Sequence, residues 1–330
     1  MMKEDAFCRC HPIINLFYFV GVLVFTMFVQ HPIFLIISFL GATSYGMWLL
    51  GVKKVLKMNF LITLPALIIV ALVNPMFNHY GVTPLYYIES SGNWVTLESM
   101  VYGIVLGCVM FIVIEWFSCY NQVMTSDKFI YLFGRIIPAM SLMLSMALRF
   151  VPLFANQLKI IRNGQKCVGM DTSNAKFLKK IQYALNLLSI LVTWALENAI
   201  ETADSMKSRG YGLPGRTAFS IYHFDKRDKI VGGLFLVLSI IFTYGCYKGA
   251  AYAQYNPCIL LAGFTVQGNK APVECSNFLV ILTFVSFAIF CFIPLVLSVV
   301  EEMALRRSQR EIGKEIDITY RNIYEELARE

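Results

Sequence analysis

The chain has 330 residues, 57% hydrophobic and only 15% charged, with a net charge of +7 and a mean hydropathy of +0.62. A water-soluble chain carries about 25% charged residues to cover its surface, so this composition excludes a cytosolic enzyme and a disordered scaffold. The basic excess fits the positive-inside bias of membrane proteins better than a nucleic-acid surface.

A helix needs roughly 20 predominantly apolar residues to cross the hydrocarbon layer. Six stretches meet this requirement: 13–30, 32–50, 60–78, 99–118, 230–247 and 278–299. His11-Pro12 and His31-Pro32 open the first two, with proline preset for a first helical turn. No A-x-A-like cleavage site follows the first stretch, which therefore reads as a retained span rather than a signal peptide. Ala42 and Gly46 form a small-xxx-small pair, and Gly103 and Gly107 a GxxxG, both at the spacing of close helix packing. Glu115 lies well inside a clear span. An intramembrane acid is a functional candidate, although a place near the inner end beside Trp116 also lets it reach water.

Two further apolar stretches, 136–155 and 181–200, carry polar residues: Arg149 in one, and Asn186, Glu197 and Asn198 in the other. Lysine and arginine placement orients the whole chain. With Lys3 and Arg9 in the cytoplasm, the 51–59 link falls inside with Lys53, Lys54 and Lys57. The 79–98 loop falls outside and has no lysine or arginine, and the 248–277 loop falls outside with Lys248 and Lys270. The tail returns inside with Arg306, Arg307 and Arg310. Were 136–155 and 181–200 to cross as a hairpin, Lys159, Arg162, Lys166, Lys176, Lys179 and Lys180 would all have to be translocated. The expected fold is an all-α integral membrane protein of the cell membrane, multi-pass, with both termini cytoplasmic. It has about six transmembrane helices and a cytoplasmic insert of long amphipathic helices at or below the inner surface. The expected domains are 1–118 with four spans, 119–228 as the cytoplasmic helical domain, 229–299 as a two-span hairpin, and 300–330 as a cytoplasmic tail. Of the 28 lysines and arginines, 14 fall in 119–228, so the basic excess is concentrated in the insert.

Two helices of the insert end alike. The first runs from about Pro138 to Val168 and stops at Gly169; the second runs from about Ser173 to Arg209 and stops at Gly210, with Pro214 beyond. Glycine just past the last turn and proline soon after are the expected stop signals. The second helix is roughly 54 Å long at about 1.5 Å per residue. Its last turns carry Glu197, Glu201, Asp204, Lys207 and Arg209. An arginine there is favoured by the helix dipole, and one projecting from a rigid end also suits a bidentate pair with a partner's carboxylate. Spacing leaves both readings open. Leu185, Leu188, Val192 and Ala195 form an apolar stripe at spacings of three and four, suited to internal packing or to a membrane partner.

The chain has no GxxxxGK[ST], CxxC, HExxH or GxSxG pattern, so no catalytic residue, metal site or cofactor is assigned. Cys108, Cys246 and Cys291 sit in apolar runs as small hydrophobes. Cys258 and Cys275 share the 248–277 loop and form either a disulfide or two free thiols.

Three segments carry a resemblance: Ser145-Met-Ala-Leu-Arg-Phe-Val-Pro152, Gln165-Lys-Cys-Val-Gly-Met-Asp171 and Asp204-Ser-Met-Lys-Ser-Arg-Gly-Tyr211. Together they resemble the membrane T component of energy-coupling-factor (ECF) transporters, a family shared with the membrane subunit of cobalt and nickel importers. The ordered plan is similar over residues 11–250, and the specific part is 140–212. The resemblance implies coupling helices whose two X-Arg-Gly ends dock into grooves on a pair of ABC-type ATPase subunits. It also implies that the apolar helix faces hold a small substrate-binding membrane subunit, the S component, for uptake of a vitamin or a transition-metal ion. ATP hydrolysis would then belong to the partners. Ser208-Arg209-Gly210 matches the motif. In Cys167-Val168-Gly169 the arginine position is Val168, so the implied contact passes to Lys166 or Arg162 from an earlier turn, to apolar docking by Val168, or to a compensating change in the ATPase. The alternatives are an intramembrane enzyme built on His11, His31 and His79, a stand-alone permease, for which the spans offer few midplane polar groups, and a non-transport membrane scaffold. A nucleic-acid partner is not expected.

Overall fold

The computed structural model describes residues 5–78, 81–88, 93–136, 138–169, 177–211, 222–262 and 276–327. In chain order the helices are α1 (Pro12–Phe28), α2 (Pro32–Leu50), α3 (Val52–Met58), a π turn at Asn59–Thr63, and α4 (Leu64–Phe77). A hairpin of β1 (Pro84–Ile88) and β2 (Asn93–Thr96) leads into α5 (Leu97–Val123), α6 (Ser126–Ile136), α7 (Pro138–Cys167) and α8 (Phe177–Ser208). Then come α9 (Lys226–Tyr247), the short strands β3 (Ala253–Gln254) and β4 (Leu260–Leu261), and α10 (Asn277–Leu327). Two compact units result: 1–125 with 223–330, and 126–222.

In the first unit, local chemistry sets the helix ends. Pro12 and Pro32 occupy the first turns of α1 and α2, and the His11 ring accepts the Ile13 N–H at 3.3 Å. At the start of α5 the Thr96 hydroxyl accepts the Ser99 N–H, and Glu98 in the first turn complements the positive helix end. The expected link over 51–59 is largely helical, because the chain runs from Val52 through the π turn into α4. Two bonds hold that turn: the Thr63 hydroxyl donates to the Asn59 carbonyl at 2.7 Å, and the Asn59 amide donates to the Glu115 carboxylate on α5. Glu115 is only 2% exposed, so its polar contact is met inside the protein and not by water.

The core is aromatic. Tyr18 stacks on Phe290 with ring centres 5.2 Å apart and meets Phe7 edge-on at 5.3 Å and Phe235 at 5.0 Å. Trp116 Nε1–H donates to Ser38 Oγ at 2.9 Å, and Ser38 in turn bonds Thr26 at 2.9 Å. One chain of hydrogen bonds thus ties α5, α2 and α1. The GxxxG pair does what its spacing predicts. A methyl group on Gly103 would lie 2.9 Å from the Ala71 carbonyl oxygen, and one on Gly107 2.9 Å from that of Leu67, so α4 and α5 meet backbone to backbone. At one end of this unit Glu301 on α10 accepts from Arg227 at 3.0 Å and Arg9 at 3.4 Å. From there α10 continues as part of a single helix of 51 residues, roughly 76 Å long at about 1.5 Å per residue.

Among the described residues seven helices are long and apolar enough to cross a membrane, and α1, with 17 residues, is a shorter apolar helix. The protein is an all-α integral membrane protein. All six expected spans fall on helices: α1, α2, α4, α5, α9 and α10. By length and composition α7 and α8 qualify as well. Cys258 is half-buried, while Cys275 and His79 lie outside the described residues, and with Cys275 the question of its pairing.

Gly107→Val is expected to lower stability by about 1–3 kcal/mol through overpacking, read as a lower unfolding midpoint in detergent. Gly233→Val on α9, where an added methyl meets open space, should leave the midpoint unchanged.

Candidate functional site

The second unit is built on α6, α7 and α8. Phe129 and Phe133, one turn apart on α6, pack with ring centres 4.4 Å apart, and Tyr131 meets Tyr222 at 5.0 Å. Helices α7 and α8 meet at a few places along their lengths. Phe154 meets Trp194 edge-on at 5.9 Å, while further along α7 the residues Ile161 to Val168 face Asn186 to Ile190 across a groove of about 490 Å³. As numbers rise on α7 they fall on α8, so the helices are antiparallel. Gly164 and Ser189 are small residues in the groove's walls, and they leave its width open.

Both sequence-predicted tips end in a left-handed glycine, with φ of 81° at Gly169 and 73° at Gly210. The Gly169 N–H donates to the Lys166 carbonyl at 3.1 Å, and the Gly210 and Tyr211 N–H groups donate to Lys207 and Met206 at 3.0 and 3.1 Å. These bonds satisfy carbonyls that a helix end would leave open. Helical geometry ends at Cys167 and Ser208, one residue short of the expected ends. At the first tip Val168 is 75% exposed. Lys166 and Arg162 are exposed too, set back along α7 by roughly 3 and 9 Å at about 1.5 Å per residue. At the second tip Arg209 and Ser208 are exposed, and the Ser208 hydroxyl is turned back onto the Ser205 carbonyl at 2.8 Å.

The antiparallel pairing keeps the tips apart. Val168 and Asn186 to Ile190 line the same groove, and from Ile190, the one of these nearest to Arg209 in the chain, the helix still advances roughly 29 Å at about 1.5 Å per residue. The structure therefore gathers Arg162, Lys166, Val168 and Gly169 at one place and Ser208, Arg209 and Gly210 at another. Between them runs the apolar stripe of α8. Leu185, Leu188 and Val192 are exposed, so they do not pack inside this unit; Ala195 is half-buried. The exposed row runs instead through Leu196 and, before Leu185, takes in Ile181. Sequence reasoning missed both, although they repeat the same spacing of three and four. Among the described residues no cluster of three or more His, Cys, Asp or Glu is placed to hold a metal ion.

Comparison with known proteins gives concordant results. The family CbiQ, described as cobalt transport protein, matches residues 7–219. The energy-coupling factor transporter transmembrane protein EcfT of Lactococcus lactis subsp. cremoris is 34% identical over 103 residues, covering 31% of this chain and 39% of that protein. EcfT of Leuconostoc gelidum subsp. gasicomitatum is 35% identical over 110 residues, with 33% and 41% covered. For EcfT of Lactobacillus helveticus the identity is 36% over 104 residues, with 31% and 37% covered. The matched part spans about two-fifths of each of these relatives.

Gly210→Ala is expected to strain the left-handed position by about 1–2 kcal/mol and to loosen the end of α8. Faster amide hydrogen exchange over residues 205–211, with exchange in α5 unchanged, is the expected readout.

Proposed function

Because the chain belongs to the CbiQ family of cobalt transport proteins, as its match over residues 7–219 establishes, we propose that it is the non-catalytic coupling subunit of an ATP-driven importer of energy-coupling-factor type. The observation that carries this reading is the pair of glycine-capped tips held at opposite ends of one antiparallel helix pair. Two tips so separated fit two partners rather than one. Each takes an ABC-type ATPase subunit, and the exposed stripe Ile181, Leu185, Leu188, Val192 and Leu196 takes a small substrate-binding membrane subunit. The cargo is a vitamin or a transition-metal ion.

The division of labour follows from the residues. The sequence has no phosphate-binding GxxxxGK[ST] loop, so the partners hydrolyse ATP and this chain transmits motion. Relative movement of the two ATPases displaces two ends of one helix pair, and a helix transmits such displacement because its backbone bonds resist bending far more than a loop does. At Arg209 a planar guanidinium on a fixed helix end suits a bidentate carboxylate contact. At Val168 docking is apolar, with Lys166 and Arg162 behind it to meet acidic groups on the same partner.

Topology supports the same arrangement. The facing ends of α7 and α8 and the link between them, with Lys166, Lys176, Lys179 and Lys180, are too basic to be translocated. We therefore place α6 to α8 at the cytoplasmic side of the cell membrane, with both termini on that side. The exposed apolar residues of α7 and α8 are then covered by lipid headgroups, by the spans or by the partner subunits.

Arg209→Ala should leave the protein inserted and assembled with the substrate-binding subunit while uncoupling ATP hydrolysis from uptake. Transport by the purified, reconstituted complex is expected to fall at least about thirtyfold, the scale of truncating one partner of a bonded charge pair; normal transport would refute the assignment. Val168→Arg restores the motif's charge and should preserve or strengthen ATPase association in co-purification. Clear loss of assembly would mean that this tip needs its apolar contact.

A further inference from the structure

The hairpin between α4 and α5 has a composition that water does not explain. Consecutive residues of a strand point to opposite faces, so one face of a water-exposed ribbon is normally polar. In β1, Leu85, Tyr86 and Tyr87 follow one another and all are exposed, Tyr86 at 70%. Trp94 on β2 is paired with Tyr87 in register and packs against it with ring centres 5.0 Å apart, yet is itself exposed. Val82, just before β1, is exposed as well. Between residues 79 and 97 the sequence has a single acid, Glu89, and no lysine or arginine. A two-stranded ribbon of this kind is marginal in water without a covered face.

The base of the ribbon is fixed. Glu98, at the first turn of α5, is buried and accepts from the Thr83 hydroxyl at 2.8 Å and the Thr83 N–H at 3.3 Å. The Leu97 N–H donates to the Thr83 carbonyl at 3.1 Å, and the Asn74 amide bonds the Ser99 carbonyl at 3.1 Å, tying the end of α4 to the same turn. The outward residues on the two flanking spans are apolar up to the hairpin: Met76 and Phe77 at the end of α4, Phe77 at 82% exposed, and Met100 at the start of α5. Among the described residues, the exposed large side chains at the ends of α4 and α5 next to the ribbon are thus apolar like those of the ribbon itself.

We propose that this hairpin lies in the headgroup layer of the bilayer, with Leu85, Tyr86, Tyr87 and Trp94 immersed at the boundary between headgroups and acyl chains. Tyrosine and tryptophan concentrate at that depth because each has an apolar ring and a polar atom that needs water or a headgroup. The two strands pair along their facing edges, and at the depth of the headgroups their outer edges still reach water and lipid oxygens, whereas open edges are excluded only from the hydrocarbon itself. It sits at the end of the first unit opposite the Arg9–Glu301–Arg227 ion cluster, the end that the charge pattern assigns to the outer leaflet. This surface is separate from the tips of α7 and α8 and does not depend on the transporter reading.

Tryptophan fluorescence tests the proposal on the full-length chain in vesicles of phosphatidylcholine and phosphatidylglycerol. The contribution of Trp94 is taken as the difference between the wild type and Trp94→Phe, a conservative change at an exposed site. That difference emission is expected to be blue-shifted, to fall about twofold when the acyl chains are brominated close to the headgroup, and to resist aqueous iodide, as an indole at the interface does. Strong iodide quenching without bromine quenching would put the ribbon in water and overturn the proposal. Resistance to both quenchers would show that protein covers it, which overturns the proposal equally.

Discussion

Hydrocarbon offers no hydrogen bonds, and the first unit is arranged around that fact. Every backbone polar group that enters the layer must find its partner within the protein, and a side-chain polar group that does not is costly. Hydroxyls on the spans turn back onto their own helices: Thr43 bonds Phe39, Ser239 bonds Phe235 and Thr283 bonds Leu279, each at 2.7 Å. Where a polar side chain reaches across instead, it joins helices, as Trp116 does through Ser38 and Asn59 does with Glu115. Lipid is as apolar as leucine, so burial of apolar surface drives helix association little, and close packing must do so instead. That is why the core combines interlocking rings around Tyr18 with glycines at which backbones touch.

The second unit obeys a different rule. Its two long helices meet through a few residues such as Phe154 and Trp194, with a groove left between them, and much of their apolar surface is uncovered. A helix pair that kept its apolar residues for itself would have closed that groove with larger side chains at Gly164 and Ser189. Leaving the surface open forgoes that packing, so the unit alone is held together by less than its apolar surface could supply.

Much of this was legible in the sequence because the signals were local. A span announces itself by apolar length, a helix stop by glycine at Gly169 and Gly210, and a close crossing by the spacing of Gly103 and Gly107. The π turn was not legible, because it depends on Asn59 meeting Glu115 from a helix more than fifty residues away in the chain. For the same reason Glu115 read as an acid near water when it is enclosed. The stripe on α8 was found but set slightly off its axis, since Ala195 and Leu196 are neighbours and only the packing against α7 decides which one faces out. Antiparallel pairing of α7 and α8, and with it the separation of their glycine-capped ends, is a tertiary fact that no motif encodes.

One feature of the first unit carries a mechanical consequence. Helix α10 has no break from Asn277 to Leu327, and crossing the hydrocarbon uses only about 20 residues of it. The remaining length of roughly 45 Å, at about 1.5 Å per residue, is continuous with the span and acts as a lever arm. A tilt of about 10° in the buried part sweeps the far end through roughly 8 Å over that length. The ion pairs of Arg9 and Arg227 with Glu301 lie near the base of that arm, where a shift of a fraction of an ångström corresponds to a much larger excursion of the far end.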